Sequence, residues 1–245
     1  LLDVEFKQNI EYKEYNIEEL QDYCMCIWEM KSKQRLSKTV SNNILPDACI
    51  DIVIDFINKI ICFAGFSKKT RPFPLNEQID YIGIRLKPGV FYSLFHINAD
   101  KIMDHMISFS EIEKEYNLEK IFCFKNSEKR IEYLRKYLIR KFKNLYDNDF
   151  ISILDRLYEN PKEQSIIDIA LKFKLNNKQL FRAFKKNYGV SPKILLNILR
   201  LHLCLTLLLE KNKELVDIAI QCGFYDQSHF IKEIKKYTGI SPLKL

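Results

Sequence analysis

Two short stretches of this chain place amide and basic side chains at helical spacing opposite an apolar stripe. In residues 177–188, Lys178, Gln179, Arg182, Lys185 and Lys186 share one side, and Leu180, Phe184 and Tyr188 share the other. In residues 227–238, Gln227, Ser228, His229, Lys232, Lys235 and Lys236 oppose Phe230, Ile234 and Tyr237. Gln, Ser, Lys and Arg hydrogen-bond base edges and phosphate oxygens, so the chemistry implied is recognition of a polyanion and not bond making. Asn176 and Asp226 stand just before the two stretches, where a side-chain oxygen caps the first free N–H groups of a helix.

The elements that must position these residues occur twice. Residues 167–192 and 216–242 align through Asp168-Ile169-Ala170 with Asp217-Ile218-Ala219, Leu180 with Phe230, Lys185-Lys186 with Lys235-Lys236, and Gly189 and Ser191-Pro192 with Gly239 and Ser241-Pro242. The second copy carries one extra residue in its turn. Such self-similarity means one structural unit used twice. In each copy a short helix (about 166–173 and 215–222) precedes a turn, where Gly223 suits the left-handed residue that ends a helix. The capped helix follows, which describes a helix-turn-helix. A long helix predicted over 192–210, apolar at Leu195, Leu196, Leu199, Leu203, Leu207 and Leu208, would hold the two reading helices apart. Successive major-groove faces lie roughly 34 Å apart on one side of a duplex, so a site about two turns long is expected.

Charge agrees. Of the 39 Lys+Arg and 32 Asp+Glu, 16 and 9 fall in residues 151–245, leaving 23 of each before them. All the net charge of +7 sits on the repeated segment, the electrostatic footprint of a polyanion binder. The seven cysteines (Cys24, Cys26, Cys49, Cys62, Cys123, Cys204 and Cys222) are odd in number and form no CxxC pair, which fits a reducing cytoplasm better than a disulfide framework or zinc module. Cys24 and Cys26 are expected on one strand face as small buried hydrophobes, with a redox or metal sensor as the lesser alternative. His96 and His105 do not make a ligand cluster, and no Ser/His/Asp array or glycine-rich phosphate loop is present, so neither catalysis, metal nor cofactor is expected. The most apolar stretch, 50–66, is broken by Asp51, Asp55, Asn58 and Lys59, so no membrane span is expected. The chain starts Leu1-Leu2 without Met, so the sequence does not tell whether its N-terminus is complete.

The first hundred residues read as strands. Ile50, Ile52, Ile54 and Phe56 alternate with Asp51 and Asp55, and Ile57-Asn58-Lys59 suits a hairpin turn to a second strand over 60–66. Further strands are expected at 23–30 and 81–86, and Pro72 and Pro74 mark a loop or edge. This predicts a small barrel or sandwich, turning helical from about residue 91, with helices over 90–95, 98–106 and 127–145. The last has Ile131, Leu134, Leu138, Phe142 and Leu145 at three- and four-residue intervals; it either packs on its own domain or forms a homodimer seam. Trp28, the only tryptophan, with Asp47, Asp51, Arg71 and Arg85, is the candidate small-molecule pocket. Against that, Asp47 could only shape a turn, and Arg85 could only pair with Asp51 or Asp55. A hinge at 146–149 divides the α+β chain into 1–147, a sensor or dimerisation domain, and 148–245, an all-α domain.

Residues 160–245 resemble the C-terminal domain of AraC/XylS-type bacterial transcription regulators. The resemblance is carried by the two Asp-Ile-Ala helices, by Gly223-Phe224-x-Asp226-Gln227-Ser228-His229-Phe230, and by the closing Gly239-Ile240-Ser241-Pro242. It implies double-stranded DNA read in the major groove, RNA polymerase as a partner, and activation as the direction of control. By position, the resemblance places base-facing residues at Lys178, Phe181 and Arg182, and at Gln227, Ser228, His229, Ile231 and Lys232. Phe181 and Ile231 depart from the usual polar types; they either meet thymine methyls or pack internally. The Arg that often follows the last Pro is absent from Leu243-Lys244-Leu245. Gln179, Lys185, Lys186, Lys235 and Lys236 are the phosphate candidates. The segments 44–56, 64–73 and 83–89 resemble an uncharacterised N-terminal domain of some such regulators, which implies a cupin-like β-fold that senses a small effector, dimerises, or both.

Overall fold

The computed structural model describes residues 4–143, 145, 149–159, 166–210 and 213–242. Helix α1 (Val4–Asn9) leads into strand β1 (Ile10–Tyr15), followed by β2 (Cys24–Ser32), β3 (Val40–Ile44), β4 (Ile50–Asp55), β5 (Ile60–Ala64), β6 (Arg71–Leu75) and β7 (Asp80–Leu86). After α2 (Val90–Phe95) come β8 (Met106–Ser108), α3 (Phe109–Ile112) and α4 (Ser127–Phe142). The C-terminal part holds α5 (Asp149–Glu159), α6 (Ile166–Lys172), α7 (Asn177–Tyr188), α8 (Pro192–Leu209), α9 (Leu215–Gln221) and α10 (Gln227–Thr238). The α+β reading, a β-sandwich followed by two helix-turn-helix units, holds.

Six strands form one sheet in the order β1-β2-β7-β4-β5-β8, each neighbouring pair antiparallel, and β3 pairs with β6 as a second, two-stranded sheet. The alternation in β4 sets the two faces. Ile50, Ile52 and Ile54 are buried with Ile82, Ile84, Phe63 and Phe91 under the helices. Asp51, Val53 and Asp55 face the other way, toward the small sheet. The strand stops at Asp55 and not at Phe56, because the Asp55 carboxylate accepts from the N–H groups of Ile57 and Asn58 and turns the chain into β5. Pro72 and Pro74 sit within β6, opposite Asn43 and Ser41, where a two-stranded sheet leaves an edge that needs no N–H.

Several expectations are corrected. Residues 98–106 are not a helix: a 3-10 turn at Ala99–Lys101 leads to β8, which pairs with the edge of β5. Cys24 and Cys26 do not share a face, because a bulge between them shifts the register; Cys24 joins the helix-side core and Cys26 the opposite cluster. Of the two readings of the α4 stripe, packing on its own domain is the one observed. Leu134, Leu138 and Phe142 of α4 are buried in the chain's own core, with Ile131 and Leu145 packed against it. Arg130 anchors the same helix, donating to both oxygens of Asp80 at 3.0 and 2.9 Å and stacking over Phe56. Helix α8, and not 50–66, is long and apolar enough to cross a membrane by length and composition; here its leucines form the core of the helical region.

The two parts do not keep separate cores. One buried cluster runs from the sheet through Phe66, Ala99 and Ile102 into Leu180, Phe184, Tyr188 and Val190 of the first helix-turn-helix. Gly189 (φ +72°) lies so close to Phe66 that a Cβ would come within 2.6 Å of its ring. The second helix-turn-helix has its own cluster, built on Cys204, Ile218, Cys222, Phe230 and Ile234. Leu45 of the N-terminal part packs against that cluster. Of the proposed hinge, 146–148 lies outside the described residues, as does the terminal 243–245.

Candidate nucleic-acid interface and pocket

Each reading helix begins where its cap stands. Asn176 Oδ1 accepts from Gln179 N at 2.9 Å, and Gln179 Oε1 accepts in return from Asn176 N, a reciprocal capping box. Asp226 Oδ1 accepts from His229 N at 2.7 Å. Both helices end on a left-handed glycine, Gly189 and Gly239. The two turns are superimposable in their bonding: Leu175 N donates to Ala170 O, and Phe224 N to Ala219 O. The extra residue of the second copy is therefore Tyr225, which is 94% exposed. At the matching turn position, Gly223 (φ +77°) is replaced in the first copy by Lys174 (φ +52°).

On α7, Lys178, Arg182, Lys185 and Lys186 are exposed, and so is Phe181, with Lys185 Nζ 5.7 Å from its ring centre. Phe181 therefore stays available for an apolar base contact. On α10, Ser228, His229, Lys232, Lys235 and Lys236 are exposed and Gln227 is half-buried. Ile231 packs against the second core, which favours packing over base contact for that residue. The His229 ring stands edge-on to Phe224, with 5.3 Å between ring centres. Three phosphate candidates already have partners. Gln179 holds the cap, Lys236 pairs with Glu233 at 2.9 Å, and Lys186 lies 4.5 Å from the Tyr92 ring centre in α2.

The five candidate pocket residues come together. Trp28, Asp47, Asp51, Arg71 and Arg85 line one pocket of about 380 Å³ between the six-stranded sheet and β3–β6. Its walls include Tyr12, Met30, Phe73 and Tyr81. Gly83 is what lets Trp28 lie flat across the sheet, since a Cβ there would fall 2.0 Å from the indole. The Trp28 Nε1–H donates to Asp51 at 3.2 Å, and Arg85 donates to both Asp51 oxygens at 3.2 and 3.1 Å. Asp47 Oδ1 accepts from Cys49 N at 2.9 Å, and its Oδ2 stands 3.6 Å from Arg85 Nε. Both bland expectations thus hold in part: Asp47 shapes a turn and Arg85 pairs with Asp51, while both still face the pocket. Burial raises the Asp47 carboxyl above the usual range, with Arg85 pulling the other way.

Sequence reasoning missed His202. It lies on α8, lines the same pocket, and donates from Nε2 to the Pro46 carbonyl at 2.7 Å. Its spacing marks it only as a polar break in a leucine-rich helix. A second tether joins Thr70 to α10: its N–H and hydroxyl both donate to Tyr237 O, at 2.9 and 2.6 Å. The buried thiols are poor redox candidates, since burial pushes Cys26 and Cys62 up to about 11. Among the described residues no cluster of three or more His, Cys, Asp or Glu could hold a metal.

A family described as a helix-turn-helix domain matches residues 169–245, and a domain of unknown function (DUF6597) matches 17–108. The transcriptional activator RhaS of Citrobacter koseri is 38% identical over 74 residues, which is 30% of this chain and 27% of that protein. The transcriptional regulator MtrA of Neisseria gonorrhoeae is 28% identical over 91 residues, 37% of this chain and 30% of that protein. The chain thus spans less than a third of the length of these relatives. Among solved structures, an apo form of ToxT from Vibrio cholerae covers 95% of this chain and 98% of its own, at 15% identity and a TM-score of 0.44. An AraC-type regulator from Chromobacterium violaceum is 30% identical, covering 37% of this chain and 82% of its own, with a TM-score of 0.35. The repeated, capped helix pairs and these sequence matches agree that residues 169–245 form a helix-turn-helix domain of the AraC type, with a DUF6597 domain matched over residues 17–108.

Proposed function

We propose that this chain is a sequence-specific DNA-binding regulator of transcription, acting as an activator through RNA polymerase, with a small effector bound in the N-terminal pocket. One observation carries the reading: two capped helices each present an exposed row of basic side chains on a basic segment, joined by Gln179 on the first and by Ser228 and His229 on the second. In the roles inferred here, Lys178, Arg182, Gln227, Ser228, His229 and Lys232 read bases, with Phe181 meeting a thymine methyl. Lys185 and Lys235 anchor phosphates, joined by Lys186 and Lys236 once their present partners release them. The activator assignment follows relatives such as RhaS and the lactose operon transcription activator of Staphylococcus xylosus.

An effector-independent regulator is the alternative, and a fully packed sandwich would have favoured it. The open, charged pocket favours a sensor instead. The test is binding of the purified chain to DNA upstream of its own and neighbouring genes, at several salt concentrations and with competitor. A protected site about two turns long that survives competitor supports the reading. Weak, steeply salt-dependent binding to any DNA, with and without cell metabolites, overturns it.

A further inference from the structure

The charged groups of the pocket sort into those already satisfied and those still open. Asp51 accepts from Arg85 and from Trp28. Asp55 accepts from Ile57, Asn58 and the Asn58 amide. Two groups of opposite sign remain. The Arg71 guanidinium has no hydrogen bond or ion pair among the described residues, although it is half-buried and lines the pocket. Asp47 Oδ2 has no hydrogen bond, only Arg85 Nε at 3.6 Å. No side-chain polar atom among the described residues is sealed away without a partner, so this oxygen opens onto free space. Both line the same pocket, and the chain brings them into one neighbourhood: Arg71 pairs in register with Ile44, and Asp47 follows three residues later. Aromatic rings line the same cavity: Trp28, flat on Gly83, with Tyr12, Phe73 and Tyr81.

We propose that this pocket takes a small zwitterion with a flat apolar body, by chemical class an aromatic α-amino acid. Its carboxylate pairs with Arg71, its ammonium pairs with Asp47 Oδ2, and its ring lies against Trp28. A simple acid would leave Asp47 unanswered, and a simple amine would leave Arg71 so. The proposal rests on the reading of the pocket as an effector site and adds what that effector must carry.

The only tryptophan lies in the pocket, so its emission reports occupancy directly. The full chain would be titrated with L-phenylalanine, 3-phenylpropionate and 2-phenylethylamine, following Trp28 emission and the thermal midpoint. The amino acid is expected to bind about ten- to a hundredfold tighter than either single-charge analogue, the effect of one charge-assisted hydrogen bond. Arg71→Ala should remove its advantage over the amine, and Asp47→Asn its advantage over the acid. Equal binding of the acid or of the amine overturns the proposal, and so does absence of binding by L-phenylalanine and L-tyrosine at millimolar concentration. DNA binding is measured on the same samples. Retained site-specific DNA binding without amino-acid binding removes the ligand class alone, whereas loss of specific DNA binding removes the regulator reading.

Discussion

Gly83→Ala tests the floor of the pocket. An alanine Cβ would lie 2.0 Å from Trp28 Cε2 and 2.1 Å from Cζ2. Gly83 is paired on both sides, with Trp28 in β2 and with Val53 in β4, so its backbone cannot retreat. The indole must therefore swing off the sheet and give up its 3.2 Å hydrogen bond to Asp51. Losing a hydrogen bond to a charged group costs about 1.5–3 kcal/mol. Forcing an extra methyl into a packed site costs roughly 1–3 kcal/mol. Together they predict a loss of about 2.5–6 kcal/mol, a large part of a typical domain's stability. Urea unfolding followed by Trp28 emission measures both consequences: a lower midpoint, and a native-state emission already shifted before unfolding begins. A variant within about 0.5 kcal/mol of the parent, the level of an ordinary surface change, with unchanged native emission, would refute the placement of the indole.

Asp226→Ala removes the cap of the second reading helix and should cost about 1 kcal/mol of stability; thermal unfolding with the first-copy variant Asn176→Ala as comparison measures it. Lys174→Gly should stabilise by roughly 0.5–1 kcal/mol, because the lysine holds a left-handed backbone that its twin assigns to glycine; an unchanged denaturation midpoint would speak against strain there. Arg182→Ala should cost about 1–3 kcal/mol of DNA affinity at one position of the site, whereas Lys185→Ala should weaken all sequences and flatten the salt slope by about 0.9. Base-by-base competition separates the two, and a uniform loss for Arg182→Ala would reassign it to phosphate. Asp47→Asn tests the raised carboxyl. The folded chain keeps that proton to higher pH than the unfolded chain, so native stability declines as pH rises above the ordinary carboxylate range. Asparagine cannot ionise, so the variant should gain on the parent between acidic and neutral pH; parallel stability curves would contradict this.

Much of the C-terminal part was legible because its signals are local. Asn176 and Asp226 cap where a side-chain oxygen must, and the reading helices span 177–188 and 227–238 as their apolar periods predict. The sandwich was legible where one face alternates, as in β4 and β7, and obscure where it does not. Val40 to Ile44 carries Ser41, Asn42 and Asn43 and becomes a strand only through pairing with β6. The three residues of β8 are too short to show a period. The bulge at Met25 reverses a face that strict alternation would keep. Four of the pocket residues were visible as charges in an apolar context, with Trp28 as a lone large ring. His202 was not, because its meeting with Pro46 joins residues 156 positions apart. The α4 stripe was visible, but only packing decides whether such a stripe faces its own sheet or a partner.

The shared core has a consequence for engineering. A DNA-binding segment that folds alone could be cut out and grafted behind another sensor. Here a cut at residue 147 would strip Phe66, Ala99 and Ile102 from Tyr188, Gly189 and Val190, exposing a face of the first helix-turn-helix that the N-terminal part now covers. Among the described residues, the second helix-turn-helix would lose Leu45 and the links from Pro46 and Thr70, while its own cluster stays whole. A chimera that carries this segment should therefore keep the second module and lose the first, unless the loop around Phe66 and the turn at Ala99 travel with it.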